Sequence, residues 1–330
     1  MASFTQQLKV RGTKMRTFFE ERFPNAAAVR ADLRERVRDS QTLDPSDTTG
    51  YPWGTVGTAL DYRMRFSFPA YAALPERWDM CVSNPDIGFC LMYDVANPGS
   101  LPRPLVAEVV ASESIMGTGA YVEAGTWSGA ASRFFGAFNL FLRRVRPHEL
   151  ALAPEDEDTL CRYCYVLTLY DEIARNPAAV WSGTPLLSLQ SAAGVDDMLA
   201  LCSPVATADI AEMSRAFVAS HSHLLGGDAV LNPCFRGGDG DLIVDGCYID
   251  IKAARVAKRP SPTEWPWELL GYALFDAEDR FGIHSVGLYL ARQAQLVTWS
   301  LGESMSMLSA EGEVPPSLED ARRALQDWLG

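Results

Sequence analysis

The sequence predicts an α/β fold with an αβββαβ core over residues 208–305, preceded by a large, mostly helical region. Three observations carry this. The stretch from about Ala208 to Leu225 has helical periodicity and is closed by Gly226-Gly227. From Ala229 the texture changes to β-branched runs, two of which flank Asp245-Gly246, one of the strongest short hairpin signals. A helical pattern from about Pro262 to Asp279 is then followed by a strand pair around Ser285–Tyr289 and Leu296–Trp299.

In chain order, residues 1–40 read as helix, with Phe18, Phe19, Phe23, Val29, Leu33 and Val37 set among arginines. A polar loop follows from Asp39 to Gly50, then a short helical segment, Gly57–Phe66. From about 70 to 225 the pattern stays mostly helical, punctuated by Pro and Gly clusters such as Asn97–Pro104. An acidic loop, Glu155–Asp158, precedes a helix Leu160–Arg175 that Asn176-Pro177 ends. Ala229–Phe235 reads as a strand and Gly237–Gly240 as a glycine-rich bend. Asp241–Val244 and Cys247–Ala253 form the hairpin strands. The tail Ser317–Leu329 is an amphipathic helix with Ser317 as N-cap and Asp320 three residues on. The expected organisation is a helical region over 1–207, whose Gly57–Phe66 helix could join the core, the core over 208–305, and a C-terminal loop and helix over 306–330.

Composition narrows the function classes. The 330 residues are 48% hydrophobic and 22% charged, the balance of a globular rather than a disordered chain. No run approaches the ~18 consecutive apolar residues of a membrane span. Residues 1–14 show no apolar signal core, so the expectation is a cytoplasmic protein with no membrane partner. Seven scattered cysteines do not make a disulfide framework. A net charge of −13 argues against a surface that is basic throughout. Basic residues do cluster at Lys9–Arg38, at Arg143–Arg146 and at Lys252–Arg259. The first two read as solvated helix faces; in the third, Arg255, Lys258 and Arg259 are candidates to face phosphates.

The hairpin carries the chemistry. Counting outward from a two-residue turn pairs Val244 with Cys247, Ile243 with Tyr248, Leu242 with Ile249, and Asp241 with Asp250. Asp239 then falls opposite Lys252. Alternation puts Asp241, Asp250 and Lys252 on one face and Leu242, Val244, Ile249 and Ile251 on the other, as core. Opposed β-carbons lie roughly 4.5–5.5 Å apart. Two carboxylates there repel unless a cation neutralises them. Oxygen-only ligands suit Mg²⁺ or Mn²⁺. Asp239 is the alternative first acid if the turn is longer.

Gly240–Gly246 and Ile249-Asp250-Ile251-Lys252 resemble the PD-(D/E)XK nuclease superfamily, in which an acid on one strand faces an acid-x-Lys signature on its hairpin partner. Trp267-Glu268-Leu269-Leu270-Gly271-Tyr272 resembles the Gln-x-x-x-Tyr helix motif of the RecB- and Cas4-like branch, with glutamate in place of glutamine. The likeness covers residues 229–303. It implies a restriction-endonuclease-like fold and metal-dependent hydrolysis of phosphodiester bonds, of DNA by default with RNA open. A setting in DNA repair or anti-phage defence is part of what it implies. Asp241, Asp250 and the Ile251 carbonyl are the implied metal ligands, and Lys252 the group that orients water or stabilises charge. Asp61, Glu212 and Glu268 are further candidate ligands; Glu268 and Tyr272 are candidates to touch nucleic acid. A protein partner or self-association stays open, as does a non-catalytic assembly role on the same fold.

Other signals read as structural. Cys161 and Cys164 lie one turn apart on an apolar helix, and Cys202, Cys234 and Cys247 are solitary, which suits buried thiols better than an iron–sulfur cluster. His221 and His223 diverge at a helix end, and His284 has no acidic partner nearby in sequence. Trp265, Trp267 and Trp299 suit a core better than base stacking. The chain has no Gly-x-x-x-x-Gly-Lys-[Ser/Thr] loop, no Gly-x-Ser-x-Gly elbow and no His-Glu-x-x-His.

Overall fold

The computed structural model describes residues 4–70, 124–148, 152–175, 184–189, 194–235, 238–255 and 261–329. Contacts divide the chain into two compact units, one made of Met1–Asp44 with Arg215–Gly330 and the other of Pro45–Ser214. Among the described residues, no helix is long and apolar enough to cross a membrane.

The first unit is α/β. Its sheet contains β1 (Ala229–Leu231), β4 (Leu242–Val244), β5 (Cys247–Lys252), β6 (Ser285–Leu290) and β7 (Gln295–Ser300), side by side in that order. Neighbours are antiparallel except β5 and β6. That parallel pair needs a crossover, which α9 (Glu264–Phe275) supplies. Every residue of α9 from Trp265 to Phe275 is buried, as expected of a helix that is apolar all round.

The expected strand Ala229–Phe235 is interrupted. Asn232 takes a left-handed φ of 52° and donates its N–H to the Asp241 carbonyl at 3.1 Å, and Pro233 follows. The chain therefore leaves the sheet after Leu231, and β2 (Cys234–Phe235) pairs with β3 (Gly238–Asp239) as a separate ribbon.

Residues 1–40 likewise form no single helix. They make α1 (Phe4–Lys9), α2 (Lys14–Arg22) and α3 (Ala26–Val37), broken at Gly12-Thr13 and at Phe23-Pro24-Asn25. Thr13 caps α2, its hydroxyl accepting from the Arg16 N–H. The periodic residues Phe18, Phe19, Val29, Leu33 and Val37 do reach the core, together with Phe4 and Leu8. A further short helix, α10 (Leu301–Leu308), starts at a capping box of Ser300 and Glu303. The tail helix α11 (Leu318–Leu329) forms as expected, with Ser317 accepting from the Asp320 N–H at 3.1 Å.

Among the described residues, the second unit is helical. It holds α4 (Trp53–Arg65), α5 (Ala124–Val145), α6 (Pro154–Arg175) and α7 (Val195–Leu199). Helix α8 (Pro204–His221) begins in this unit and ends in the first. Glu155–Asp158 is not a loop but the first turn of α6, where carboxylates complement the positive helix end and Pro154 suits the opening position. Glu157 there clamps the buried Arg63 of α4 at 2.6 and 2.8 Å. The Asn97–Pro104 cluster lies outside the described residues.

The hairpin turn yields a direct test. Asp245 and Gly246 have φ of 47° and 72°, the paired positive values of a type I′ turn. A β-carbon on Gly246 would lie 2.8 Å from both the Gly282 carbonyl oxygen and the His284 ring. Gly246→Ala is expected to lower unfolding free energy by about 1–3 kcal/mol in urea titration, with the denaturant slope unchanged.

Candidate functional site

The observed register pairs Val244 with Cys247, Ile243 with Tyr248 and Leu242 with Ile249, as the two-residue turn requires. One step further, Asp241 stands beside Asp250, and its carboxylate accepts the Ile251 N–H at 2.7 Å. Asp239 does not face Lys252. It belongs to β3, pairs with Cys234 and is exposed.

The division into one charged and one apolar face needs correction. Ile243 and Tyr248 share the face of Asp250 and are buried in the core under α9, while Leu242, Val244, Ile249 and Ile251 are buried on the opposite face. The sheet is covered on both sides. On the second, Tyr289 of β6 meets the Phe217 and His221 rings of the last turns of α8, with centroids 5.1 and 5.5 Å away. The charges of β5 therefore sit at the rim of a two-sided core rather than on a solvated face.

Asp250 is 4% exposed and Glu268, from α9, equally so. Between them lies the Lys252 ammonium, 2.7 Å from Asp250 Oδ2 and 3.2 Å from Glu268 Oε2. It also lies 5.7 Å from the centre of the Trp265 ring, whose face favours a cation. Burial, reinforced by the charges of Glu268 and Asp241, pushes the Asp250 carboxyl well above the usual carboxylate range, against the pull of Lys252. For Lys252, burial works against the charge, but Asp250, Glu268 and Asp241 outweigh it and hold the amine above its ordinary value. Lys252 donates to Glu268 and stands still closer to Asp250 Oδ2, so the two buried carboxylates share one ammonium.

Glu268 is held from its other side. Thr5 of α1 donates its hydroxyl to Glu268 Oε1 at 2.5 Å. One turn along α9, the Tyr272 hydroxyl donates to the Asp239 carbonyl at 3.1 Å. Burial, then the neighbouring acids, push that phenol above its ordinary range. Thr5 has no signal in the sequence: it lies 263 positions from its partner and in no motif.

Asp241, Asp250, Lys252, Glu268 and Tyr272 are thus brought together in the first unit. The hard donors available to a cation are the two hairpin carboxylates and the Ile251 carbonyl. In its chemistry, an all-oxygen donor set of this kind fits Mg²⁺ or Mn²⁺. As the side chains stand, no group of three or more His, Cys, Asp or Glu among the described residues could hold a metal ion. For a cation to take Asp250, the Lys252 ammonium now 2.7 Å from it would have to give way.

The remaining candidates lie elsewhere. Asp61 belongs to the second unit, where both its oxygens take hydrogen bonds from Arg65 one turn along. Glu212 is an exposed residue of α8, also in the second unit. Arg255 is paired with Asp44 at 2.7 Å. Lys258 and Arg259 lie outside the described residues. Cys161 and Cys164 are buried on α6, and burial pushes both thiols up, away from the thiolate a metal needs. The indole N–H groups of Trp267 and Trp299 donate to the Phe23 carbonyl and the Asp32 carboxylate, both at 2.8 Å, which fixes these rings in the core. His221 Nε2 lies 3.2 Å from the Ala294 carbonyl.

Removing the cation exposes the cost of the cluster. Lys252→Met is expected to destabilise the protein by about 3 kcal/mol at neutral pH, because it leaves buried like charges uncompensated. The raised Asp250 pKa means that the folded state binds more protons than the unfolded one, so ionisation of this group costs stability as pH rises. The deficit relative to wild type should therefore shrink as pH falls from 8 towards 5, measured by denaturant titration at each pH.

Comparison of the chain with protein-family models, with curated proteins and with solved structures returns no match.

Proposed function

We propose that the chain is a metal-dependent nuclease of the restriction-endonuclease-like αβββαβ class. The observation that carries this is the meeting of Asp241 and Asp250 across a tight hairpin, with Lys252 two residues along. The element order α8, β1, β4, β5, α9, β6 supports it, as does a sheet whose successive pairs run antiparallel, antiparallel and parallel.

In this reading Asp241, Asp250 and the Ile251 carbonyl hold Mg²⁺ or Mn²⁺. The bound ion supplies a more acidic water and neutralises the scissile phosphate. Lys252 keeps its proton, anchored by Glu268, and presents positive charge to a phosphoryl oxygen. Tyr248 and Tyr272, with rings 5.1 Å apart, form the apolar wall behind Asp250 and limit the water that reaches it. The substrate is a nucleic acid, DNA in the first instance and RNA as the alternative, and the setting is DNA repair or anti-phage defence. With Glu268 and Tyr272 both buried, their work lies inside the site, which leaves Arg255, Lys258 and Arg259 as the basic residues the sequence offers to substrate phosphates.

One observation favours a second reading. Lys252 already lies against both Asp250 and Glu268, as it would in a nuclease-fold assembly or nucleic-acid-binding subunit that has no use for a metal.

Thermal melting with and without Mn²⁺ separates the two. A working site is stabilised by the ion, and Asp250→Ala abolishes the response; an unchanged melting temperature in wild type favours the second reading. For activity, single- and double-stranded DNA and RNA are incubated with Mn²⁺. Cleavage should fall to background in Asp250→Ala and by about 10²–10³-fold in Lys252→Ala. Cleavage that survives both substitutions contradicts the assignment.

A further inference from the structure

Helix α1 has six residues, too few to hold a helical conformation alone. It is held by a socket in α9. A β-carbon at Gly271 would lie 2.1 Å from the Phe4 ring, so the missing side chain is the space that ring occupies. Phe4 meets Tyr272 and Phe275 edge-on, with centroids 5.5 and 4.9 Å away, and Leu8 is fully buried beside it. Glycine inside a helix costs about 1 kcal/mol relative to alanine, and here the cost is offset by the docking of α1. Gly271 falls between Glu268 and Tyr272, so the socket lies next to the ion cluster.

The consequence is local. With Phe4 seated, Thr5 reaches Glu268 Oε1 at 2.5 Å, and Glu268 Oε2 is left for Lys252 at 3.2 Å. The two carboxylate oxygens are divided between two donors, which sets the plane of the carboxylate. Lysine is a point charge on a flexible four-carbon stem, so its position depends on what anchors it. Asp250 cannot be that anchor when it turns to a metal.

We propose that Thr5 and Glu268 are positioning residues for Lys252, which makes the N-terminal helix α1 a component of the nuclease site. The catalytic part of the inference rests on the nuclease reading. The positioning part rests on the geometry alone. Thr5 orients Glu268, Glu268 holds the ammonium, and Lys252 stays in place when Asp250 leaves it. Glutamate rather than glutamine suits this task, because both its oxygens accept and one carries the charge that an ammonium seeks.

The test uses the full chain with Thr5→Val, which keeps the shape and removes the hydroxyl, Thr5→Ser, which restores it, and Glu268→Gln. Hydrogen exchange of the α1 amides first verifies that the helix stays docked in each variant. Labelling of Lys252 by an amine-reactive reagent at one fixed pH, read by mass spectrometry, then reports its anchoring without reference to activity. Labelling should rise several-fold in Thr5→Val and in Glu268→Gln and return to the wild-type rate in Thr5→Ser. With Mn²⁺ and DNA, kcat should fall by about tenfold in Thr5→Val with KM unchanged, and recover in Thr5→Ser. Wild-type labelling and kcat in Thr5→Val overturn the inference, as does a Thr5→Ser variant no better than Thr5→Val. A labelling response without cleavage by wild type leaves the chain of contacts standing and removes the nuclease reading instead.

Discussion

The Lys252 ammonium between Asp250 and Glu268 is the contact on which this site depends. Three carboxylates, those of Asp241, Asp250 and Glu268, gather at the end of β5 within reach of that one cation. Burial makes the charges of Asp250 and Glu268 expensive, and Lys252 is the cation placed between these two, with the half-buried Asp241 alongside. The result is a crowd of acidic groups around one ammonium. A divalent cation would relieve it. Burial, with the charges of Glu268 and Asp241 behind it, raises the Asp250 pKa, and the same crowding of acids is what the proposed cation would relieve.

The scaffold is arranged to hold that cluster in place. The type I′ turn at Asp245-Gly246 sets the register that brings Asp241 beside Asp250. The parallel pairing of β5 with β6 puts α9 across the sheet and delivers Glu268 to Lys252. The turn itself is pinned from outside: Asp245 exchanges hydrogen bonds with Asp228 at 2.8 and 2.9 Å, next to β1. Aromatic contacts among Phe4, Phe235, Tyr248 and Tyr272 form the wall behind the charges. A one-residue slip of β5 would turn Asp250 to the other face of the sheet and dissolve the cluster.

Much of the first unit was legible in sequence because its signals are local. Asp245-Gly246 specifies its own turn, and the register of Leu242, Ile243 and Val244 follows by counting. Ser317 with Asp320 announces a helix start in the same way. The failures have a physical pattern. Counting along continuous strands puts Asp239 opposite Lys252, but the left-handed Asn232 and Pro233 divert the chain into a separate ribbon. The shared periodicity of the apolar residues in 1–40 predicts one helix, although three short helices present the same residues to one core. The polarity of Glu155–Asp158 predicts a loop, whereas at a helix N-terminus acids are favourable. Thr5 was invisible, since nothing local marks a hydroxyl that acts on a residue from the far end of the chain.

The central claim is that the Asp241–Asp250 rung holds a divalent cation. The most direct measurement is an anomalous difference map from crystals of the protein soaked in Mn²⁺. The account predicts one peak within coordinating distance of both hairpin carboxylates, with Lys252 withdrawn from Asp250 and retained by Glu268. A map without a peak there, or with the ammonium still against Asp250 at saturating Mn²⁺, would contradict it.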